Sequence, residues 1–159
     1  PVSISYEYDP TDALKMPQLM AEANNEVYEK KKNEDFMTIL SGALGQKKGI
    51  HIHVGKVLDT EIEEIKASNE SSNKQIVTLA QVIDDAVLSN YKLWPTNYIA
   101  YDIVNKTNSY SHLYTENEKS LFERRLEMRI DHDNPVALDS FLAMYANPVV
   151  NKLKYHNVV

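Results

Sequence analysis

Two histidines have the spacing that most directly suggests chemistry. In "IHIHVGKVL", residues 50 to 58, His51 and His53 alternate with apolar residues, so a β-strand would direct both imidazoles to one face. Paired imidazoles can bind a divalent metal, with Glu7 or Asp59 as a candidate third ligand. Alternatively, both rings lie on a half-exposed face and hydrogen-bond to neighbours. Because the spacing fixes no third ligand, we favour the second interpretation and expect neither a metal nor a cofactor.

Three charged clusters have a simple structural explanation. The "DHD" at residues 131–133 precedes Asn134 and Pro135, where helix capping and turn formation account for its acids as well as catalysis would. Asp84 and Asp85 are expected on a solvated helix face. The lysines at 30–32 are predicted to end a helix, where cations meet the negative end of the dipole, rather than to form a phosphate or membrane patch.

An aromatic segment is the densest in the chain. "SNYKLWPTNYIAYDI" places Tyr91, Trp94, Tyr98 and Tyr101 within eleven positions. Aromatic groups with a polar end suit a wet cleft or a membrane-facing surface. A helix–turn–helix corner packed on a sheet explains them equally well and is the more common arrangement.

Composition and missing motifs exclude several classes of function. The chain has 17 basic and 23 acidic residues, for a formal charge of −6, which disfavours a nucleic-acid partner. It has no cysteine, and its four glycines form neither a phosphate loop nor a dinucleotide fingerprint. No G-x-S-x-G nucleophile motif occurs, and no apolar stretch is long enough to span a bilayer.

The elements that would position these groups follow from periodicity and capping signals. The opening "PVSISYEYDP" predicts a strand, and residues 50–58 predict a second. On the first strand, we expect Val2, Ile4, Tyr6 and Tyr8 to face the helices, and Ser3, Ser5 and Glu7 to face solvent or a missing part of the fold.

Six or so helical segments are predicted. The first starts at Asp9-Pro10-Thr11, is interrupted or restarted at Pro17 and ends at the lysine run. The last carries Leu138, Phe141, Leu142 and Tyr145. The tail after Asn147-Pro148 is ambiguous. Between the first and last helices, others are predicted from Phe36 to the stop at Gly45, from a Thr60–Glu63 capping box, over 74–92, after Pro95, and from a Thr115–Glu118 capping box to about 130. The last helix begins at Asn134-Pro135.

The fold class that these elements predict is α/β, as a fragment. Two strands do not make a stable sheet by themselves, so a sheet of two or three strands under six helices indicates that further strands lie upstream. We therefore expect residues 1–159 to form a single C-terminal domain of a longer chain. An opening strand without its neighbours predicts self-association through its edge.

Three stretches together carry a family resemblance. "PVSISYEYDP", "SNYKLWPTNYIAYD" at 89–102 and "MYANPVVNKL" at 144–153 resemble the C-terminal part of bacterial 1-acylglycerol-3-phosphate (glycerolipid) acyltransferase-like proteins, over essentially the whole chain. The resemblance implies acyl transfer from acyl-CoA or acyl-carrier protein to a lysophospholipid or glycerol-phosphate hydroxyl. It also implies a general-base histidine followed five residues later by an aspartate.

The chain departs from that pattern at the catalytic motif. Lys56, Leu58, Asn117 and Ala137 stand five residues after the four histidines that leave room for the pair, and no Pro-Glu-Gly occurs. No catalytic residue is therefore assigned, and Pro1 and Val2 alone carry over, as a remnant of a substrate-binding strand motif. We expect an inactive part of a lipid-metabolism enzyme whose whole chain lies at the inner face of the cytoplasmic membrane.

Two other functions remain open. A non-enzymatic module would bind a ligand or partner protein at the aromatic segment and at His51 and His53. The other is a small metal-dependent enzyme at the same two histidines.

Overall fold

The described elements begin with a strand and continue mainly as helices. The computed structural model describes residues 1–131 and 133–158, with residues 156–158 described by their backbone alone. The elements are β1 (Val2–Tyr6), α1 (Asp12–Ala23), α2 (Glu34–Leu44), β2 (Ile50–Val54), α3 (Asp59–Ala67), α4 (Ser72–Asn90), α5 (Pro95–Asn105), a 3₁₀ turn (Ser111–Leu113), α6 (Glu116–Arg129) and α7 (Pro135–Val158). This small two-stranded sheet with mainly helical surroundings confirms the predicted fold class.

The chain divides into two compact units. The first comprises Pro1–Ser5, Ile50–Lys92 and Asn151–Val159, and the second comprises Tyr6–Gly49 and Leu93–Val150. Each unit is therefore built from segments that are distant in the sequence.

The first unit contains most of the sheet. The Gly55 N–H donates to the Pro1 carbonyl over 2.9 Å, and at the other end of the ladder the Glu7 N–H donates to the Gly49 carbonyl over 2.9 Å. This register makes the strands antiparallel and places Ser3 on the same face as His53. α3 and α4, which follow β2 in the chain, pack against each other.

The second unit contains the hydrophobic core. Phe122 of α6 packs edge-to-face on Tyr145 of α7, with ring centroids 5.2 Å apart, and Phe141 lies 5.2 Å from the same ring. The fully buried aromatic rings are supported by a cluster drawn from α1, α5, α6 and α7: Met16, Ile99, Ala100, Leu126, Ala137, Leu142 and Ala146. This core holds the second unit together.

Several predicted helix starts are confirmed by their caps. Pro95 begins α5, as its fixed φ and missing N–H allow. The Thr115 hydroxyl accepts the Glu118 N–H, and the Glu118 carboxylate accepts the Thr115 N–H, which is the predicted capping box of α6. The Asn134 side chain accepts N–H groups of the first turn of α7.

Other predicted boundaries are wrong. α1 contains Pro17 without interruption and ends at Ala23, so the lysines at 30–32 lie outside it and directly before α2. Thr60 lies inside α3, whose cap position is Leu58 without a side-chain bond. The tail after Asn147-Pro148, which the sequence leaves ambiguous, is helical as far as residue 158, as part of α7.

The orientation predicted for β1 is also wrong. Ser3 and Ser5 are buried, whereas Val2 and Ile4 are exposed, and of the predicted inward residues only Tyr8, beyond the strand, is buried. The small serines suit close packing, but Ser3 Oγ has no hydrogen-bond partner among the described atoms, which is a cost of this arrangement. The alternation was therefore predicted correctly and its direction was not.

Candidate functional site

The sheet exposes an apolar surface in the first unit. Because side chains alternate along a strand, the residues opposite the buried serines and half-buried histidines all point the other way. Their exposed fractions run from 45% to 74%. We call this surface the apolar sheet face; it consists of Val2, Ile4, Ile50, Ile52 and Val54.

The two residues assigned to substrate binding lie at one end of this sheet. The Pro1 carbonyl accepts the Gly55 N–H, so its backbone is used by the strand ladder. Val2 lies on the apolar sheet face and is 52% exposed. Their position suits an apolar contact, and the polar groups of the sheet lie on the other face.

The paired histidines lie on the opposite face, as their alternation predicts. His51 and His53 are both half-buried. The His51 Nε2 lies 3.2 Å from the Asn90 carbonyl, and this contact requires the proton on Nε2. His51 thus hydrogen-bonds to a neighbour in the way that the favoured interpretation predicts. Within the residues that the structure describes, no three histidine, aspartate or glutamate side chains form a group that could hold a metal ion.

Three of the four aromatic residues of the aromatic segment, Trp94, Tyr98 and Tyr101, pack within the second unit. Trp94 is buried, and a methyl group added at Gly49 would lie 2.4 Å from the Trp94 ring, so only glycine permits this approach. Tyr98 and Tyr101 both contact the ring of Tyr110, at centroid distances of 5.1 and 5.3 Å. These contacts explain the aromatic residues of the second unit as a packed corner.

The acids at 131 and 133 form the expected turn, whereas Asp84 and Asp85 are not both on a solvated face. Asp131 accepts the Asp133 N–H and forms a turn before α7, while His132 lies outside the described residues. Asp84 is exposed, but Asp85 is half-buried. Both acids line an open groove of about 620 Å³ between α4 and the end of α7, with Lys154 on the other side.

A buried charged cluster in the second unit was missed from the sequence. The Arg125 Nε donates to Asp12 Oδ2 over 2.7 Å, and another guanidinium nitrogen donates to the Asp9 carbonyl over 3.0 Å. The Tyr145 hydroxyl donates to the same Asp12 oxygen over 3.0 Å and accepts the Asp9 N–H. We call Asp12, Arg125 and Tyr145 the buried triad. A usable signal was present, since Arg125 follows Phe122 by three positions on the buried side of α6.

The electrostatics of the buried triad indicate a structural role. Burial alone would lower the pKa of Arg125, but Tyr145 and Asp12 beside it raise that pKa above its usual value. Burial, followed by the Asp12 carboxylate, raises the pKa of the Tyr145 hydroxyl. Asp12 is only 1% exposed, and its carboxylate is hydrogen-bonded to Arg125 and Tyr145, so it is closed to a substrate.

A second buried carboxylate organises the loop after α5. Asp102 accepts the Thr107 hydroxyl over 2.8 Å, the Tyr110 N–H over 3.1 Å and the Tyr114 hydroxyl over 3.0 Å. Burial, and then the bond to Asp102, raise the pKa of Tyr114 to about 12. This carboxylate therefore anchors a loop.

Comparison with models of known families, with curated proteins and with solved structures finds no match for the chain. Among the helices that the structure describes, none is long and apolar enough to cross a membrane. The arrangement of the described side chains is thus the main evidence on function. It offers exposed apolar surfaces for binding, while the buried carboxyl groups of Asp12 and Asp102 are already hydrogen-bonded.

Proposed function

We propose that this chain is the non-catalytic C-terminal part of a glycerolipid acyltransferase-like protein, where it completes a sheet that the upstream part of the same chain supplies. The longer chain would transfer an acyl group from acyl-CoA or acyl-carrier protein to a lysophospholipid or glycerol-phosphate hydroxyl. It would do so at the inner face of the cytoplasmic membrane. The family resemblance of the three quoted stretches supports the reaction class.

The observation that carries this proposal is the exposure of the apolar sheet face. Complete burial of one valine or isoleucine side chain stabilises a protein by about 1.5–3 kcal/mol. The five side chains are roughly half exposed, so covering them would contribute roughly 4–8 kcal/mol. A two-stranded sheet is marginal by itself, and upstream elements that cover this face would complete it.

The proposal also explains what the chain lacks. A histidine followed five residues later by aspartate is absent from the sequence, so the upstream part would supply the general base and this part would support the sheet. Without that cover, the exposed valines and isoleucines are expected to drive self-association of the 159-residue chain.

Acyl-transfer assays test the proposal. The 159-residue chain and a longer chain that includes the upstream coding sequence are each supplied with acyl-CoA or acyl-carrier protein and a lysophospholipid. We expect transfer from the longer chain alone. Transfer by the 159-residue chain would contradict the non-catalytic role, and an upstream sequence without the histidine–aspartate pair would contradict the family.

A matched pair of variants tests the sheet contact in the longer chain. Ile52→Lys places a charge on the apolar sheet face and is expected to lower acyl transfer and stability together. Ile76→Lys makes the same change on α4, where the side chain is 66% exposed, and is expected to alter neither. Equal effects of the two variants would argue against upstream cover of the sheet.

A further inference from the structure

The helix α2 presents its apolar side outward. Taking 3.6 residues per turn, its apolar side chains occupy one arc of about 160° and its polar side chains occupy the remainder. None of its residues is buried. The exposed fractions on the apolar arc run from 39% to 79%, for Phe36, Met37, Ile39, Leu40 and Leu44.

The polar side of α2 is the side that contacts the protein. A methyl group added at Gly42 would lie 3.7 Å from Thr11 Cγ2, and one added at Gly45 would lie 2.7 Å from Pro10 Cβ. Small residues on this side thus let α2 approach the start of α1. An amphipathic helix on the surface of a globular protein normally packs its apolar side on the core and exposes its polar side to water. The exposed apolar arc of α2 therefore requires another explanation.

Lysines lie at both ends of the exposed arc. Lys30 pairs with Asp35 over 2.7 Å at the first turn, and Lys31 and Lys32 are exposed next to it. Lys47 donates to the Ala43 carbonyl over 3.0 Å at the last turn. The other acid of the first turn, Glu34, accepts hydrogen bonds from the Tyr28 hydroxyl and the Lys31 N–H. Both acids of this turn therefore have local partners.

This charge arrangement distinguishes between possible occupants of the apolar arc. A second copy of α2 laid parallel to the first would bring lysines 30–32 against their own counterparts. An antiparallel copy would bring Lys47 against a first turn that carries the same lysines and whose two acids already have local partners. An anionic phospholipid surface instead offers acyl chains to the apolar arc and phosphate groups to the flanking ammonium groups.

We propose that α2 is a lipid-docking helix, which inserts the apolar arc of Phe36, Met37, Ile39, Leu40 and Leu44 into the surface of an anionic phospholipid bilayer. The helix lies in the plane of the interface, with its small-residue side held by the protein. The inference depends on α2 alone and does not require that the chain belongs to an acyltransferase.

Vesicle flotation tests this role with the 159-residue chain. The probes are vesicles of phosphatidylcholine alone and of phosphatidylcholine with roughly a third phosphatidylglycerol, an anionic fraction that gives basic groups a favourable surface potential. We expect binding to the anionic vesicles and at least about tenfold weaker binding to the neutral ones. Absence of binding to anionic vesicles, or equal binding to both, would overturn the proposal.

Two double variants separate α2 from general hydrophobic adhesion. Ile39→Gln with Leu44→Gln changes two of the most exposed side chains of the arc and is expected to weaken binding by about tenfold or more. Ile76→Gln with Val77→Gln changes two side chains on α4 that are similarly exposed, at 66% and 65%, and is expected to leave binding unchanged. Equal losses in both variants would refute a specific role for α2.

Two further measurements distinguish a lipid surface from a second copy of the chain as the partner of the apolar arc. Lys31→Glu with Lys32→Glu is expected to weaken binding to anionic vesicles while leaving the weak binding to neutral vesicles unchanged. Analytical ultracentrifugation without lipid addresses the second copy: a dimer that the Ile39→Gln, Leu44→Gln variant dissociates would assign the arc to self-association and overturn the proposal. None of these experiments measures acyl transfer. A negative result would therefore overturn the lipid-docking role of α2 without bearing on the proposed acyltransferase function.

Discussion

Replacing Arg125 by methionine is expected to destabilise the second unit by roughly 3 kcal/mol. The substitution keeps much of the apolar stem but removes the guanidinium that bonds to Asp12 and to the Asp9 carbonyl. Removing one partner of a buried ion pair costs about 3–5 kcal/mol, because the other charge stays buried. Asp12 keeps the Ala13 N–H and the Tyr145 hydroxyl as donors, and the Arg129 guanidinium remains 3.5 Å from its other oxygen, so the lower end of that range applies.

Urea unfolding followed by tryptophan fluorescence measures this loss. Trp94 is the sole tryptophan of the chain and is buried in the second unit, so its signal reports on the unit that contains the buried triad. Domains of this size have unfolding free energies of about 5–15 kcal/mol, so the variant is expected to fold with a lower midpoint. The neighbouring Arg124 is exposed, and Arg124→Met is expected to change the free energy of unfolding by less than about 0.5 kcal/mol.

A milder variant and a double-mutant cycle complete the test. Tyr145→Phe removes one hydroxyl and is expected to cost about 1–2 kcal/mol, since it leaves the Asp9 N–H without its acceptor. The double variant combines Asp12→Asn with Arg125→Met. Its loss in free energy of unfolding is expected to be smaller than the sum of the losses in the two single variants. A loss for Arg125→Met no larger than that of Arg124→Met, or strict additivity in the cycle, would refute the reasoning.

Two further predictions concern the caps and the tyrosines. Thr115→Ala removes the capping box of α6 and is expected to lower the free energy of unfolding, measured in urea, by about 0.5–2 kcal/mol. Thr60→Ala is the control, because Thr60 lacks the predicted box, and it is expected to have little effect. Because the pKa of Tyr114 is raised from 10.0 to about 12 in the folded chain, its hydroxyl contributes stability that is fully present below pH 10 and is lost as the pH rises towards 12. Unfolding titrations across that pH range are expected to show a smaller decline in Tyr114→Phe than in the wild type, and identical declines would contradict the assigned cause.

The features that the sequence predicts well depend on short-range chemistry. The capping box at Thr115, the proline that begins α5 and the Asn134 cap of α7 each involve groups within three or four residues of one another. Such bonds form in the same way wherever the helix packs. Their positions were therefore predictable without knowledge of the rest of the fold.

The direction of β1 was predicted wrongly because it depends on what covers each surface. Period two requires that Val2 and Ser3 lie on opposite faces of β1, but it does not say which face the rest of the protein covers. The same holds for α2, where a clear apolar arc was predicted as a helix and yet lies outward. The exposed fractions of the arc and the approach of Gly42 to Thr11 show its orientation.

Placement of the buried triad was also beyond local reasoning. Asp12 and Arg125 are more than a hundred positions apart, so no spacing rule connects them. The pair becomes evident only when α1 and α6 meet in the second unit. The arginine on the buried side of α6 was a signal that a partner existed, though not which one.

The antiparallel pairing of β1 with β2 has a consequence for how the chain folds. The two strands are separated by the whole of α1 and α2, so closing the sheet costs the entropy of a long loop before any strand contact compensates for it. In contrast, α3 packs on α4 and α5 packs on α6, each its neighbour in sequence. We therefore expect the helical pairs to form early and the sheet late, which leaves two apolar strands open to pairing with other chains while the protein folds.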